Sequence, residues 1–219
     1  MKTCVVLWWV HTDMKVLIDL RTHLLPVRDQ KTRPTCMAFA ASASHECKHG
    51  LLEHLSPEHL YQQVLHKSRK ANGQGLNFNE LPYGLNVSGQ TTEAICPYDV
   101  GWKYAPAVQL QPVYKTGCVD DLLPFGGLVA QLSENRVPIV GFVLTRAFHA
   151  RLASPFIIDD SITDLRGRHA MNIVGHAQDG GSDYLLLRNS WGTGWGDQGY
   201  AWISRKYYEQ YAERCLFLQ

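Results

Sequence analysis

The sequence predicts an α+β fold with two segregated lobes. Its 219 residues are 45% hydrophobic and 19% charged, which is enough to bury a sizeable core in one large domain or two closely packed lobes. Helical patterns dominate the first half and strand patterns the second, an order that argues against alternating parallel βαβ units. We expect a helical lobe over 24–113 and a strand-rich lobe over 114–219, completed by 1–23.

The central helix is expected to begin at Cys36. Pro34 disfavours helical backbone at the residue before it, and Thr35 is a good N-cap for the alanine-rich run that follows. The apolar positions that recur every four residues are Phe39, Ala43, Cys47 and Leu51. This spacing predicts a helix from Cys36 to about residue 55, with one stripe facing a core.

The other elements are marked by caps, glycines and apolar runs. Ser56 as cap and Pro57 at the first helical position predict a second helix that ends near Lys70. A third, shorter helix is expected over 80–89, ended by Gly89, and another over 122–135. The predicted strands are 138–144, 170–177, 184–188 and 200–204, and the run 16–20 is expected to form a strand or an extended arm.

Charge and cysteine usage narrow the class of protein. The chain has 21 basic and 20 acidic residues and no basic block, so we expect no nucleic-acid partner. The apolar run 4–10 is expected to form a strand, and no run approaches the roughly 18 residues that span a bilayer, so no membrane partner is expected. Six dispersed cysteines without a C-x-x-C pair predict reduced thiols and a cytoplasmic location, with secretion lacking a classical signal left open.

Three separate segments carry residues that fit one chemical role. Cys36 would lie in the first helical turn, where free N–H groups and the helix dipole favour a thiolate and lower the cysteine pKa. Gln30, six residues upstream, can return an amide to the same place. His169 starts an apolar strand and Asn189 ends another. A thiolate needs an imidazole to move its proton and an amide oxygen to orient that imidazole. Each segment also has an ordinary structural interpretation: a buried cysteine, a core histidine and an aromatic turn.

These segments resemble the papain family of cysteine peptidases from about Asp19 to Ser204. The stretches that carry the resemblance are 26–30 (PVRDQ), 36–40 (CMAFA), 55–60 (LSPEHL), 92–98 (TEAICPY), His169-Ala170 and 189–192 (NSWG). The resemblance implies a helical lobe and an antiparallel β lobe with the active site in the cleft between them. It also implies a thiol peptidase that acts on peptide or protein substrates without metal or organic cofactor.

The same resemblance assigns the site residues. It implies Cys36 as nucleophile, His169 as acid and base, and Asn189 as the group that orients the imidazole. It further implies Gln30 as oxyanion donor and Trp191 as the indole that shields the histidine–asparagine contact, with Ala170 as a supporting residue beside the histidine.

The chain departs from the family pattern in three respects. Arg33 and Gln63 stand where secreted relatives have disulfide cysteines, and the glycine pair of the substrate-binding loop is missing near Asn79 and Glu80. No long inhibitory propeptide precedes the catalytic region, so we expect a stand-alone, disulfide-free form, with a separate inhibitor or regulator left open. Glu80 is expected to favour basic or neutral substrate side chains through its negative potential.

Three other functions remain open from the sequence. The run 45–49 (HECKH) is a literal H-E-x-x-H, the signature of zinc peptidases, although solvated histidines on a helix face are the preferred interpretation of His45 and His49. A catalytically dead papain-like module could bind peptides in the cleft. A Cys-His acyltransferase would pass the acyl group to an amine instead of water.

Overall fold

The structure, a computed structural model, describes residues 14–98 and 110–219, which contain four α-helices and seven strands. The helices are α1 (Cys36–His49), α2 (Pro57–Ser68), α3 (Phe125–Ser133) and α4 (Arg205–Tyr211). The strands are β1 (Lys15–Asp19), β2 (Cys118–Asp120), β3 (Ile139–Thr145), β4 (Leu165–Asp179), β5 (Ser182–Arg188), β6 (Tyr200–Ser204) and β7 (Ala212–Leu218). Within these ranges, no helix is long and apolar enough to cross a bilayer.

All seven described strands form one antiparallel sheet around the long strand β4. The strand order is β2-β7-β3-β4-β5-β6, and β1 pairs with β4 outside this path. One apolar core fills the space between the sheet and helices α3 and α4, and includes Leu128, Phe142, Phe148, Ile173 and Tyr207. The predicted α+β class with an antiparallel β lobe is confirmed.

The helical side is built from α1, α2 and the turns that follow α2. Leu60, Tyr61, Val64 and Leu85 are fully buried there. Gly84 makes this packing possible, because a Cβ at that position would stand 2.5 Å from the Leu60 Cδ1. α2 begins at Pro57 as predicted, and the Ser56 Oγ accepts the N–H of His59 at 3.0 Å.

Several boundaries differ from the sequence expectation. Helix α1 ends at His49 and not near residue 55, because Gly50 adopts the left-handed conformation (φ 59°) and its N–H caps the last turn. The expected third helix is a 3₁₀ turn, Phe78–Glu80, followed by a π-helical turn, Tyr83–Ser88. Strands β2 and β7 and helix α4 were not predicted. The expected strand 4–10 lies outside the described residues.

Asn172 on β4 connects the sheet to the central helix. Its Nδ2 donates to the Ala40 carbonyl at 3.0 Å, to the Ser44 hydroxyl at 2.9 Å and to the Pro138 carbonyl at 3.2 Å. The side chain is 2% exposed, so water does not replace these bonds when the amide is removed.

Asn172→Ala should therefore lower the free energy of unfolding by about 1–3 kcal/mol, because it leaves buried carbonyls without a donor. Urea denaturation followed by circular dichroism measures this change. Gln178→Ala, at an exposed position of the same strand, is the matched control and should stay within about 0.5 kcal/mol of the wild type. Equal stability of the two variants would contradict the assigned role of Asn172.

Candidate active site

Cys36 opens α1 at the bottom of a cleft of about 820 Å³. The cleft lies between the helical side and the sheet, and His169 lines it together with Cys36. The helical wall consists of Pro34, Met37 and the segment 75–80; the sheet wall consists of Gly141, Phe142, 168–170, Glu213 and Arg214. The cleft therefore brings the predicted nucleophile and the predicted histidine to one accessible surface.

The first turn of α1 keeps its backbone donors. Thr35 occupies the N-cap position, but its side chain makes no capping bond to the helix. Its hydroxyl contacts the Tyr98 hydroxyl at 2.8 Å instead. The N–H groups of the first turn thus remain available to a ligand beside the Cys36 sulfur.

His169 is oriented by Asn189. The Nε2 of the imidazole lies 2.7 Å from the Asn189 Oδ1, which also accepts the backbone N–H of Ser190 at 2.8 Å. An amide oxygen only accepts, so Nε2 carries the proton and Nδ1 has the free lone pair. The Trp191 ring lies 4.8 Å from the imidazole, measured between centroids. This tautomer leaves a basic nitrogen for the thiol.

Gln30 is attached to the same loop through Ser190. The Gln30 backbone N–H donates to the Ser190 carbonyl at 2.8 Å, and the Ser190 hydroxyl donates to the Gln30 Oε1 at 2.6 Å. The Gln30 Nε2 donates to the Arg33 carbonyl at 2.8 Å, which leaves its second N–H for a ligand. Sequence reasoning gave Ser190 no role, although a polar residue directly after Asn189 was a usable signal.

Burial shifts the pKa values of both reacting groups toward their neutral forms. Burial raises the pKa of the Cys36 thiol, although the backbone N–H groups of Ala170, Met37 and Cys36 lower it in part. The expected lowering of this pKa by the helix start is therefore outweighed. Burial lowers the pKa of His169 to about 4, opposed by the Asn189 hydrogen bond. Both shifts apply while the thiol and the imidazole are neutral. After the proton has moved from Cys36 to His169, the thiolate and the imidazolium stabilise each other.

A buried ion pair holds the loop before Cys36 against α2. Arg33 contacts Glu58 through both guanidinium nitrogens, with Nη2 at 2.9 Å from Oε1. Glu58 is 0% exposed and the Arg33 side chain 11%. The guanidinium also lies over the rings of Tyr61 and Tyr98, at 5.3 and 5.0 Å from the centroids. The Tyr98 hydroxyl donates to the Gln30 carbonyl at 2.8 Å.

The arginine of this ion pair is Arg33, at the position where the resemblance in the sequence implies a disulfide cysteine in secreted relatives. The described cysteines, Cys36, Cys47, Cys96, Cys118 and Cys215, are all free. Noncovalent contacts from α2 and from Tyr98 therefore fix the loop that carries Gln30 and leads to Cys36.

Glu80 lies in the cleft wall, but a cation balances its charge. Its Oε2 accepts Lys70 Nζ at 2.7 Å and the Asn77 N–H at 2.7 Å. Burial raises the pKa of Glu80, and these bonds outweigh that effect, so the pKa lies below its usual range. Lys70 offsets the negative potential on which the predicted preference for basic side chains depends.

The same wall contains Gly75, where a Cβ would meet only the Pro34 carbonyl at 4.0 Å.

The H-E-x-x-H run has a structural role in this fold. His45 is fully buried, contrary to the expected solvated position, with Nδ1 at 3.2 Å from the Gln90 Oε1. Glu46 accepts Arg28 at 3.1 Å and the Leu55 N–H at 2.9 Å, so its carboxylate is committed to the fold. Across 14–98 and 110–219, no group of three His, Cys, Asp or Glu residues is arranged to hold a metal.

Comparison with known proteins gives consistent matches. A family model described as "Papain family cysteine protease" matches residues 15–215. "Digestive cysteine proteinase 2" of Homarus americanus is 27% identical over 206 residues, 86% of this chain and 61% of that protein. "Cathepsin L" of Sarcophaga peregrina is 29% identical over 210 residues, 89% of this chain and 60% of that protein. The chain thus spans about three fifths of the length of these relatives.

Solved structures match over most of the chain. Xylellain, a cysteine protease from Xylella fastidiosa, superposes with a TM-score of 0.77 at 22% identity, over 92% of this chain and 85% of that one. The Carica candamarcensis cysteine protease CMS1MS2, solved in complex with E-64, gives 0.71 at 28% identity, over 92% of this chain and 97% of that one. The two-lobed fold is therefore confirmed.

Glu58→Gln tests the clamp on the Gln30–Cys36 loop. The variant leaves the partly buried Arg33 cation without a counter-charge, so we expect a loss of about 1.5–3 kcal/mol in the free energy of unfolding. Glu134→Gln breaks an exposed pair with Arg136, with side chains 57% and 53% exposed, and should change stability by less than about 0.5 kcal/mol. Guanidinium denaturation of both variants measures these changes. Similar unfolding midpoints for Glu58→Gln and Glu134→Gln would contradict the stabilising role assigned to the Arg33–Glu58 pair.

Proposed function

Because this chain belongs to the papain family of cysteine proteases, we propose that it hydrolyses peptide bonds of peptide or protein substrates through an acyl-enzyme on Cys36. The observation that supports this most is the 2.7 Å contact of the His169 Nε2 with the Asn189 Oδ1. It fixes the imidazole tautomer that accepts a proton at Nδ1, and His169 lines the same cleft as the Cys36 thiol.

In the first step, the Cys36 sulfur attacks the substrate carbonyl carbon and its proton passes to the His169 Nδ1. A C–S bond forms and the carbonyl π electrons move to oxygen. The free N–H groups of the first α1 turn and the second N–H of Gln30 are the available donors for this oxyanion. The electrostatic stabilisation is assembled before substrate arrives, because Ser190 and the Arg33 carbonyl already hold the Gln30 amide.

In the second step, the C–N bond breaks and His169 gives its proton to the leaving amine. The remaining thioester is attacked by water, whose proton His169 accepts; the C–S bond then breaks and the proton returns to Cys36. Asn189 holds the imidazole in place during both transfers, and Trp191 covers one side of the ring.

Substitutions should rank the four predicted catalytic residues. Cys36→Ala and His169→Ala should each remove essentially all turnover, and their effects should not add in the double variant, because both act in one step. Gln30→Ala should lower turnover about 100- to 1,000-fold by removing one oxyanion donor. Asn189→Ala should cost the least of the triad, since Trp191 still confines the ring.

Turnover of a fluorogenic peptide amide and alkylation of Cys36 measure this ranking together. Full activity of Cys36→Ala would eliminate the thiol mechanism. A pure wild-type protein that cleaves no peptide and whose Cys36 resists a peptidyl epoxide would instead favour the dead binding module. His45→Ala and His49→Ala are matched histidine controls: loss of activity in the exposed His49 variant would support the zinc alternative.

The pH profile should have its acid limb near pH 4. Burial lowers the pKa of His169 to about 4, so the imidazole stays neutral and able to accept the thiol proton above that pH, and kcat/KM should fall as pH drops below it. Asn189→Ala removes the hydrogen bond that raises the pKa of His169, so the acid limb of the kcat/KM profile of this variant should move to lower pH. Burial also lowers the pKa values of His45 and His59 to about 4, so circular dichroism at each pH must confirm the fold. A limb near pH 6.5 would contradict the expected burial effect.

A further inference from the structure

Phe78 fills a socket in the cleft wall that another side chain would otherwise reach. The residue lies in the helical wall, yet its ring packs on Gly141 of strand β3: a Cβ at Gly141 would stand 2.7 Å from the Phe78 Cε2. Gly141 pairs with Ala170 across β3 and β4, and Ala170 directly follows His169. The ring thus covers the strand position next to the predicted catalytic histidine.

The surroundings of the ring hold it in place. Phe78 is 9% exposed and belongs to an apolar cluster that joins both sides of the cleft and includes Leu76, Ala170 and Leu216. The Arg214 guanidinium lies 5.7 Å above the ring centroid. Arg214 is fixed by its ion pair with Asp120 and by a 2.9 Å bond to the Asn79 Oδ1. Phe78 is therefore a packed bridge and not a free side chain at the cleft mouth.

The residues under the ring form an apolar floor with little volume of their own. Gly141 contributes no side chain, and Ala170 contributes one methyl group. If the ring were absent, the space over Gly141 and Ala170 would become an apolar socket of the size of an aromatic side chain, open to the cleft that contains Cys36. A substrate side chain placed over Gly141 and Ala170 would need the space that the Phe78 ring occupies.

We propose that Phe78 determines substrate specificity by occupying this socket with its own ring. The cleft then accepts peptides with a small side chain at the position facing Gly141 and Ala170, and it excludes bulky apolar side chains there. This inference rests on the proposed peptidase function, and it assigns that function a substrate class. One extra or missing methylene group in such a pocket changes kcat/KM by about 10- to 200-fold, so the effect is measurable.

The test uses fluorogenic peptide amides that carry Ala, Leu or Phe at each of the three positions before the cleaved bond. The wild type should prefer Ala at one position by at least about tenfold over Phe. Phe78→Ala should raise the Phe/Ala ratio of kcat/KM at that position at least about tenfold. Phe78→Leu should shift the ratio in the same direction by less.

A second experiment refills the socket with a different side chain. In the Phe78→Ala background, Gly141→Val places a side chain on the same floor, and it should restore the preference for Ala. An unchanged Phe/Ala ratio at all three positions in Phe78→Ala would overturn the proposal, as would a wild type that cleaves the Phe peptides as well as the Ala peptides. If Phe78→Ala does not fold, Phe78→Leu decides by the same ratio.

Failure of the peptidase proposal is distinguishable from failure of this one. Peptidyl epoxides bearing the same Ala, Leu and Phe series modify a thiol without turnover, so the rate of Cys36 modification reports the socket even in a chain that hydrolyses nothing. A size preference in labelling that disappears in Phe78→Ala supports the socket independently of turnover. Labelling rates that are equal for all side chains in both proteins overturn it.

Discussion

The position of the predicted active site depends on the contact between helix α1 and strand β4. Asn172 donates to the Ala40 carbonyl, one turn after Cys36, and it lies three residues after His169 on the same strand. This side chain therefore links the helix that carries the thiol to the strand that carries the imidazole. Small residues on α1 allow the approach: Ala40, Ala41, Ala43 and Ser44 are all buried against neighbouring elements.

A second set of contacts fixes Gln30, the predicted oxyanion donor, against the loop that contains Asn189 and Ser190. Ser190 bonds Gln30 through its hydroxyl and its carbonyl, while its N–H holds the Asn189 oxygen toward the imidazole. A displacement of this loop would therefore move the orienting amide and the oxyanion donor together. The Arg33–Glu58 pair fixes the other end of the same segment from α2. Glu58 is fully buried, so its carboxylate depends on the Arg33 guanidinium to offset the cost of its desolvation.

Local signals in the sequence were sufficient for elements whose ends are set by their own residues. The start of α1 after Pro34, the start of α2 at Pro57 and the strand Tyr200–Ser204 agree with the structure. The end of α1 was misplaced because the apolar spacing continues to Leu51, while the left-handed Gly50 stops the helix. His45 lies off the apolar stripe predicted for α1, yet every residue from Met37 to Glu46 is buried, so the stripe marks only one of the packed faces of this helix.

The residues predicted as catalytic each carry a local marker in the sequence: a helix start for Cys36, a strand start for His169 and a strand end for Asn189. The side chains that hold these residues in place could not be predicted, because they come from segments far apart in the sequence. Thr35 was expected to cap α1, but its hydroxyl contacts the hydroxyl of Tyr98, which lies 63 residues later in the sequence. Likewise, nothing near Phe78 in the sequence indicates that its ring packs on Gly141, since that contact arises only when the two walls of the cleft come together.

The charges along the cleft limit what electrostatics contributes to substrate choice. Glu80 is paired with Lys70, Arg168 with Glu213 at 2.7 Å, and Arg214 with Asp120. A paired charge in the wall presents a dipole to the cleft, and the field of a dipole falls off faster than that of an isolated ion. The cleft therefore offers a substrate little net attraction of either sign. Under the proposed peptidase function, selection among peptides depends mainly on the shape of the cleft. Apolar contacts across it, such as that between Phe78 and Gly141, fix this shape.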